Sequence, residues 1–138
     1  MNRGTSAPVF GGRGPTGPWR TMHKLVVVIR GPEGGERLER RWSEDFVPLA
    51  EKMPGLRRVL VGHVVGSPAG PADAVLVHEL IFDDLDALQA AMTSPEGQAA
   101  GQSLMRFAGD RAELFFAEHH EMDLGSPADS AGTVGDSG

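Results

Sequence analysis

Three residues on two predicted strands carry side chains that can move protons: Glu79, His78 and His63. Glu79 interrupts an otherwise apolar alternating set, and burial there would raise its pKa toward the range that suits a general acid or base. His78 is the next residue before it and therefore points to the opposite face of the strand. A structural ion pair would also explain Glu79, and a hydrogen-bonded core position would also explain His78.

The partner of His63 depends on the register of a predicted hairpin. Opposite an odd-numbered residue, His63 shares a face with Glu79 and forms an acid-base pair. Opposite an even-numbered residue, it joins His78 instead. Two histidines without a third ligand are a weak metal signal, and the chain has no cysteine. The glycine-rich segments lack the spacing that binds dinucleotides or phosphates, so we predict neither metal nor cofactor.

The predicted elements that position these residues begin with a strand, which a helix follows. A β-branched run predicts a strand from Lys24 to Arg30, and a helical stripe at spacings of four, four, three and four follows it. The stripe consists of Leu38, Trp42, Phe46, Leu49 and Met53. Pro48 cannot donate a backbone hydrogen bond to Glu44, so we expect this helix to kink or restart.

Two strands, a broken helix and a last strand complete the pattern. The strands are expected from Leu56 to Val65 and from Ala74 to Phe82, as an antiparallel hairpin. Ser94 followed by proline predicts a break and a new cap in the second helix. The final strand is expected within Arg111–His120. The order βαββαβ predicts a ferredoxin-like α+β fold, with a four-stranded antiparallel sheet and helices on one of its faces.

The strand from Ala74 to Phe82 is apolar on both faces. Helices cover one face of such a sheet, so the other needs a partner. We therefore expect two sheets to associate, most simply in a twofold homodimer.

Length and composition limit the possible classes of protein. The chain has 138 residues and a net charge of −6, which favours one domain and disfavours nucleic acid as a partner. No apolar run approaches the roughly 20 residues that span a bilayer. We expect no membrane partner and a cytoplasmic location. Residues 1–22 are expected to be a flexible leader, 23–121 the domain and 122–138 a disordered tail. Met22 is a second candidate for the start of translation.

Four ordered segments match the motifs of one known family: Trp42–Leu49, Ala50–Leu56, Glu79–Asp83 and Leu88–Gly97. On these segments, the region from residue 23 to residue 121 resembles the EthD family of dimeric α+β barrel proteins. The resemblance implies a dimer whose two sheets face one another, with a small-molecule pocket in each subunit. Phe46 stands where the family usually has a histidine, so a plausible proton-transferring group is missing.

Three functions remain after the loss of that histidine. The chain is a cofactor-independent enzyme acting by acid-base chemistry on a hydrophobic oxygenated or cyclic metabolite, an accessory protein that binds or hands over such a metabolite, or a dimeric interaction domain without a ligand. The first uses Glu79, His63 or His78 for proton transfer. Its pocket is shaped by Trp42, Phe46, Leu80 and Phe82, whereas the second predicts a cavity without an acid-base pair. A core filled by Trp42, Phe46 and Met53 would favour the third.

Overall fold

The protein contains a single four-stranded antiparallel sheet in the part that a computed structural model describes, residues 19–31 and 35–124. The strands lie in the order β2-β3-β1-β4. Their bounds are Trp19–Arg30 for β1, Arg58–His63 for β2, Ala74–Phe82 for β3 and Ala112–Met122 for β4. This arrangement confirms the predicted ferredoxin-like α+β fold, because β3 pairs antiparallel with both β1 and β2.

The helices lie between these strands in the predicted places. Their bounds are Gly35–Arg41 for α1, Val47–Ala50 for α2, Leu85–Thr93 for α3 and Pro95–Phe107 for α4. A π-helical turn, Trp42–Phe46, joins α1 to α2, and a short 3₁₀ turn, Gly109–Arg111, precedes β4. No helix in the described part of the chain combines the length and the apolar character needed to cross a membrane.

The described residues fall into two compact units. The larger is Met22–Glu118, which contains the hydrophobic core. The smaller includes Trp19–Thr21 and residues 119–124, where the ring of Trp19 lies edge-on to His120. The first strand begins at Trp19, so four residues of the expected leader are extended. The rest of the leader, and the tail from residue 125, lie outside the described residues.

One face of the sheet packs against the helices. On β3 this face consists of Leu76, His78, Leu80 and Phe82, all of them inaccessible to solvent. On β1 it consists of Leu25, Val27 and Ile29, which belong to the same apolar cluster as the buried residues of the helices. His78 is the one imidazole in this row of β3, so the sequence places a polar ring in the centre of the core.

The π-helical turn follows from Pro48. The proline has no amide hydrogen, and its ring would clash with the carbonyl of Glu44 four residues earlier. The helix widens there, and the amide of Val47 donates to the carbonyl of Trp42, five residues back. The predicted restart at Pro48 therefore takes the form of a π turn, which ends where α2 begins.

The extra residue of the π turn keeps a four-residue repeat on one face. In a regular α-helix each four-residue step advances about 40° beyond a full turn, so three steps would rotate the stripe by about 120°. The buried residues are nevertheless Leu38, Trp42, Phe46, Ala50 and Met53. Ala50 takes the place predicted for Leu49, which is only partly buried. The stripe thus holds Trp42 and Phe46 above β3.

The break between α3 and α4 is built as predicted. The side chain of Ser94 accepts a hydrogen bond from the amide of Gly97, and Pro95 opens α4. A Cβ atom on Gly97 would lie only 2.1 Å from the carbonyl oxygen of Ala91, so the two helices can approach closely only with glycine there. Beyond the break α4 packs against α2 and the π turn, whereas α3 contacts β3.

Candidate ligand site around His78

His78 lies in the middle of the helix-covered face with no exposed surface. The indole Nε1–H of Trp42 donates a hydrogen bond to Nδ1 of His78 at 3.0 Å. Because Nδ1 accepts, the neutral imidazole carries its proton on Nε2. The contact between helix and strand therefore fixes both the orientation and the tautomer of the ring.

Burial lowers the pKa of His78 to about 4, because the core does not solvate the charged imidazolium. At neutral pH the ring is uncharged. Its Nε2 atom is buried and has no hydrogen-bond partner among the described residues. A buried donor without an acceptor destabilises a fold by about 1–3 kcal/mol. An acceptor oxygen from a ligand or a solvent molecule would remove this penalty.

Phe46 packs against the same imidazole. The two ring centroids are 5.6 Å apart and the rings are nearly perpendicular, which is a favourable edge-to-face arrangement. Phe46 occupies the position where the resemblance to the EthD family implies a histidine. An imidazole is therefore present beside that position, but β3 supplies it instead of the helix.

The register of the hairpin places His63 with His78 and separates it from Glu79. His63 lies opposite Leu76, and both side chains are on the helix-covered face. The alternative acid-base pair of His63 and Glu79 is thus wrong, because their side chains project from opposite faces of the sheet. Among the described residues, no group of three or more metal-ligating side chains could hold a metal ion.

His63 does have a carboxylate partner, which the sequence analysis missed. Its Nδ1 atom lies 2.9 Å from Oε2 of Glu39 on α1, and both side chains are about half exposed. The ring of His63 also lies edge-on to Trp42, with 6.2 Å between centroids. Glu39 stands three residues before Trp42, and that helical spacing is the one signal in the sequence that would place it near the same site.

Glu79 lies on the face of the sheet opposite the helices, where Val26 and Ile81 are buried. Its Oε1 atom accepts a hydrogen bond from Nζ of Lys24 at 2.6 Å, and the two side chains are 25% and 19% exposed. The structure therefore gives Glu79 a structural ion pair, with a lysine as the partner. The lining of the three pockets described between residues 36 and 111 does not include Glu79.

The four residues predicted to shape a pocket lie together. Trp42, Phe46, Leu80 and Phe82 belong to one apolar cluster, and each is at least nine-tenths buried. Met53 is buried in the same cluster. These residues fill the space between helices and sheet, so His78 is enclosed by packed side chains.

The edge of the sheet nearest to His78 is open to solvent. Val61 lies directly opposite His78 on the helix-covered face, yet 42% of it is exposed. His63 is two residues further along the same strand, and a pocket of about 350 Å³ borders its partner Glu39. Solvent therefore reaches the strand beside His78, although His78 itself has no exposed surface.

Comparison with known proteins identifies the family. A model of the EthD domain matches residues 34–111, which is more than half of the chain. An ethyl tert-butyl ether d (EthD) family protein from Bacillus halodurans C-125 has 37% sequence identity and a TM-score of 0.68. The match covers 71% of this chain and 98% of that one.

Two further proteins are similar over the same region. An uncharacterised 11.0 kDa protein of Rhodococcus erythropolis, encoded in the thcB-thcC intergenic region, is 25% identical over 97 residues, or 70% of this chain and 94% of that protein. A dimeric ferredoxin-like protein of unknown function from Jannaschia sp. CCS1 is 22% identical, with a TM-score of 0.52, over 72% of this chain and 99% of that one. The Jannaschia structure shows the fold alone. The matched domain model and the Bacillus protein establish that the chain belongs to the EthD family.

Proposed function

We propose that this protein binds a hydrophobic small molecule carrying an acceptor oxygen, such as a cyclic ketone or lactone. The observation that supports this proposal most is the buried Nε2–H of His78, which has no acceptor among the described residues. In this account Nε2–H donates to the ligand oxygen. Trp42 and Phe46 contact the apolar part of the ligand.

The packed core argues for a structural domain, and His78 argues against it. An interaction domain without a ligand needs only a filled core, and Trp42, Phe46 and Met53 provide one. In such a core the imidazole satisfies the buried indole N–H of Trp42 through Nδ1, but its own Nε2–H stays unsatisfied and destabilises the fold. The orphaned donor is better explained by a ligand that enters along β2.

The lowered pKa makes His78 a hydrogen-bond donor and a poor proton shuttle. With a pKa of about 4 the ring is neutral at pH 7, so it holds no transferable imidazolium proton there. A neutral imidazole N–H can still polarise a carbonyl group when it is fixed in place. The geometry therefore supports binding, or polarisation of a bound carbonyl, at His78.

A second candidate function is acid-base catalysis by Glu39 and His63. A carboxylate on Nδ1 orients a histidine and leaves Nε2 to exchange a proton with a substrate, and this pair has that arrangement at 2.9 Å. The ring of Trp42 lies against both His63 and His78. A ligand held by His78 would thus lie near the pair, which favours a cofactor-independent enzyme over a carrier if turnover is found.

The protein is further proposed to act as a homodimer joined through the face of the sheet opposite the helices. On that face Leu60 is 43% exposed and lies opposite Glu79, and contact with a second copy would remove its apolar surface from water. The similar Jannaschia protein is dimeric. The cytoplasmic location stays a prediction from composition.

The proposed function is tested with 1-indanone and indane, which differ by one carbonyl group. Titration calorimetry should show saturable binding of 1-indanone and binding at least about tenfold weaker for indane, because a hydrogen bond to the carbonyl is lost. His78→Phe should remove the preference for the ketone. His63→Gln serves as the matched control: it should keep the preference while abolishing any turnover by the Glu39 pair. Equal binding of both compounds to the native protein would contradict the proposal.

A further inference from the structure

The row of side chains that crosses the sheet at His78 ends at an exposed valine. Val27 of β1 and Val61 of β2 lie opposite His78, one on either side of it. Val27 has no exposed surface, whereas 42% of Val61 is exposed. Because β2 is an edge strand, no further strand of the described sheet lies beyond Val61. Along this row, one side chain therefore separates the buried imidazole from solvent.

The neighbours of Val61 on the same face of β2 are held by other contacts. Val59 lies opposite Leu80 and packs against the apolar core. Nδ1 of His63 lies 2.9 Å from Oε2 of Glu39, a contact that ties the end of the strand to α1. Val61 belongs neither to the core cluster nor to the partly buried side chains packed against it. Of these three residues of β2, Val61 is thus the one that can move without breaking an ion pair or opening the core.

The helix side of His78 is closed by two aromatic rings. The ring centroids of Trp42 and Phe46 lie 5.2 Å and 5.6 Å from that of His78, and both residues are buried. The hydrogen bond from Trp42 already occupies Nδ1. Displacing a buried aromatic ring costs more free energy than displacing a half-exposed valine, because more apolar surface is exposed to water. The least costly opening toward the imidazole is therefore at Val61.

We infer that Val61 is the gate of the His78 site: its side chain keeps water from the imidazole and limits the size of a ligand that can reach the ring. A β-branched side chain has few rotamers, so the space that it leaves is well defined. The size limit rests on the proposed function, whereas the barrier to water exists with or without a ligand.

Exchange of the His78 Nε2 proton with water, followed by NMR, tests the barrier without any ligand. Val61→Ala removes both γ-methyl groups and should accelerate this exchange by about tenfold or more, because water then reaches the imidazole. The indole N–H of Trp42 should keep its native exchange rate, since its hydrogen bond to Nδ1 is untouched. Val61→Ile keeps the branched side chain and should not accelerate the exchange.

Val65→Ala is the matched control, because it removes the same atoms from a residue that is 98% exposed and lies beyond the end of β2. Its His78 exchange rate should stay within about twofold of the native rate, as expected for an exposed substitution. Equal acceleration by both alanine variants, or none in Val61→Ala, would overturn the inference. Parallel acceleration at the Trp42 indole would also overturn it, since the whole core would then be opening.

The size limit is tested with 1-indanone and 9-fluorenone, two flat ketones that differ by one fused benzene ring. In Val61→Ala the Kd of 9-fluorenone should fall relative to that of 1-indanone by about tenfold or more, because the alanine leaves room for the larger ligand. A ratio of the two Kd values that matches the native ratio would overturn the size limit. If neither ketone binds, the proposed function is contradicted, and the exchange rates still decide whether Val61 is the barrier.

Discussion

The side chain of His78 has three properties: its ring is neutral, its proton is fixed on Nε2, and that proton has no acceptor among the described residues. Trp42 fixes the proton on Nε2, because its indole can only donate a hydrogen bond to Nδ1. Burial keeps the ring neutral. Neither could be derived from the sequence, which showed only that a histidine stands in an apolar row.

The lowered pKa of His78 predicts a specific loss of stability in acid. The folded pKa is about 4 and the unfolded pKa is about 6.5, so between these values the unfolded chain binds more protons. The contribution is complete above pH 6.5 and is lost as the pH falls toward 4. Between pH 7.5 and pH 5, His78 should account for about 2 kcal/mol of the decrease in the free energy of unfolding.

Urea denaturation of the native protein and of His78→Phe measures the contribution of His78 to the pH dependence of the free energy of unfolding, because the variant keeps every other titrating group. The free energy of unfolding of the variant should fall by about 2 kcal/mol less over the same pH interval. An identical pH dependence in the two proteins would show that the imidazole is not held neutral by burial.

At the scale of elements, the π turn carries Trp42 and Phe46 and depends on Pro48. Pro48→Ala restores an amide that can donate to Glu44 and removes the clash that widened the helix. The helix should then become regular, which rotates Trp42 away from His78. Hydrogen exchange of the Trp42 indole N–H, followed by NMR, should accelerate by about tenfold or more as its hydrogen bond opens.

Glu44→Ala is the control for this substitution, since Glu44 is an exposed residue of the same turn and the variant keeps the proline. Its indole exchange should match the native rate. Unchanged exchange in Pro48→Ala would mean that the contacts of the core, and not the proline, maintain the π turn.

The helices and strands were largely predictable from the sequence, whereas their first and last residues were less so. The bounds of β3 and the Ser94 break follow from alternation and capping chemistry, both of which are local. The early start of β1 at Trp19 was missed because polar residues and a glycine- and proline-rich stretch precede the apolar run. The pair of Glu39 and His63 required the hairpin register, which an irregular loop between β2 and β3 conceals.

At the scale of the whole molecule, the proposed dimer forms through the face of the sheet opposite the helices. The ion pair of Lys24 and Glu79 lies on this face, and Leu60 is exposed opposite Glu79. If a second copy covers the face, an added charge there must be desolvated next to a like charge. Leu60→Glu should therefore shift the protein from dimer to monomer at micromolar concentration, as measured by light scattering after size exclusion.

Met105→Glu adds the same charge to α4, at a residue that is 56% exposed. It should leave the mass in solution unchanged. A native protein that is monomeric at micromolar concentration, or a dimer that is insensitive to Leu60→Glu, would contradict association through this face.

The most direct test of ligand binding at His78 is an imidazole ¹H–¹⁵N spectrum recorded with and without 1-indanone. The ligand-free protein should show a neutral ring with its proton on Nε2 at pH 6. Added ketone should shift the Nε2 and Hε2 resonances of His78 in a saturable way, because the donor gains an acceptor. Spectra in which His78 does not respond while the ketone binds would contradict the account, since the ligand would then lie elsewhere.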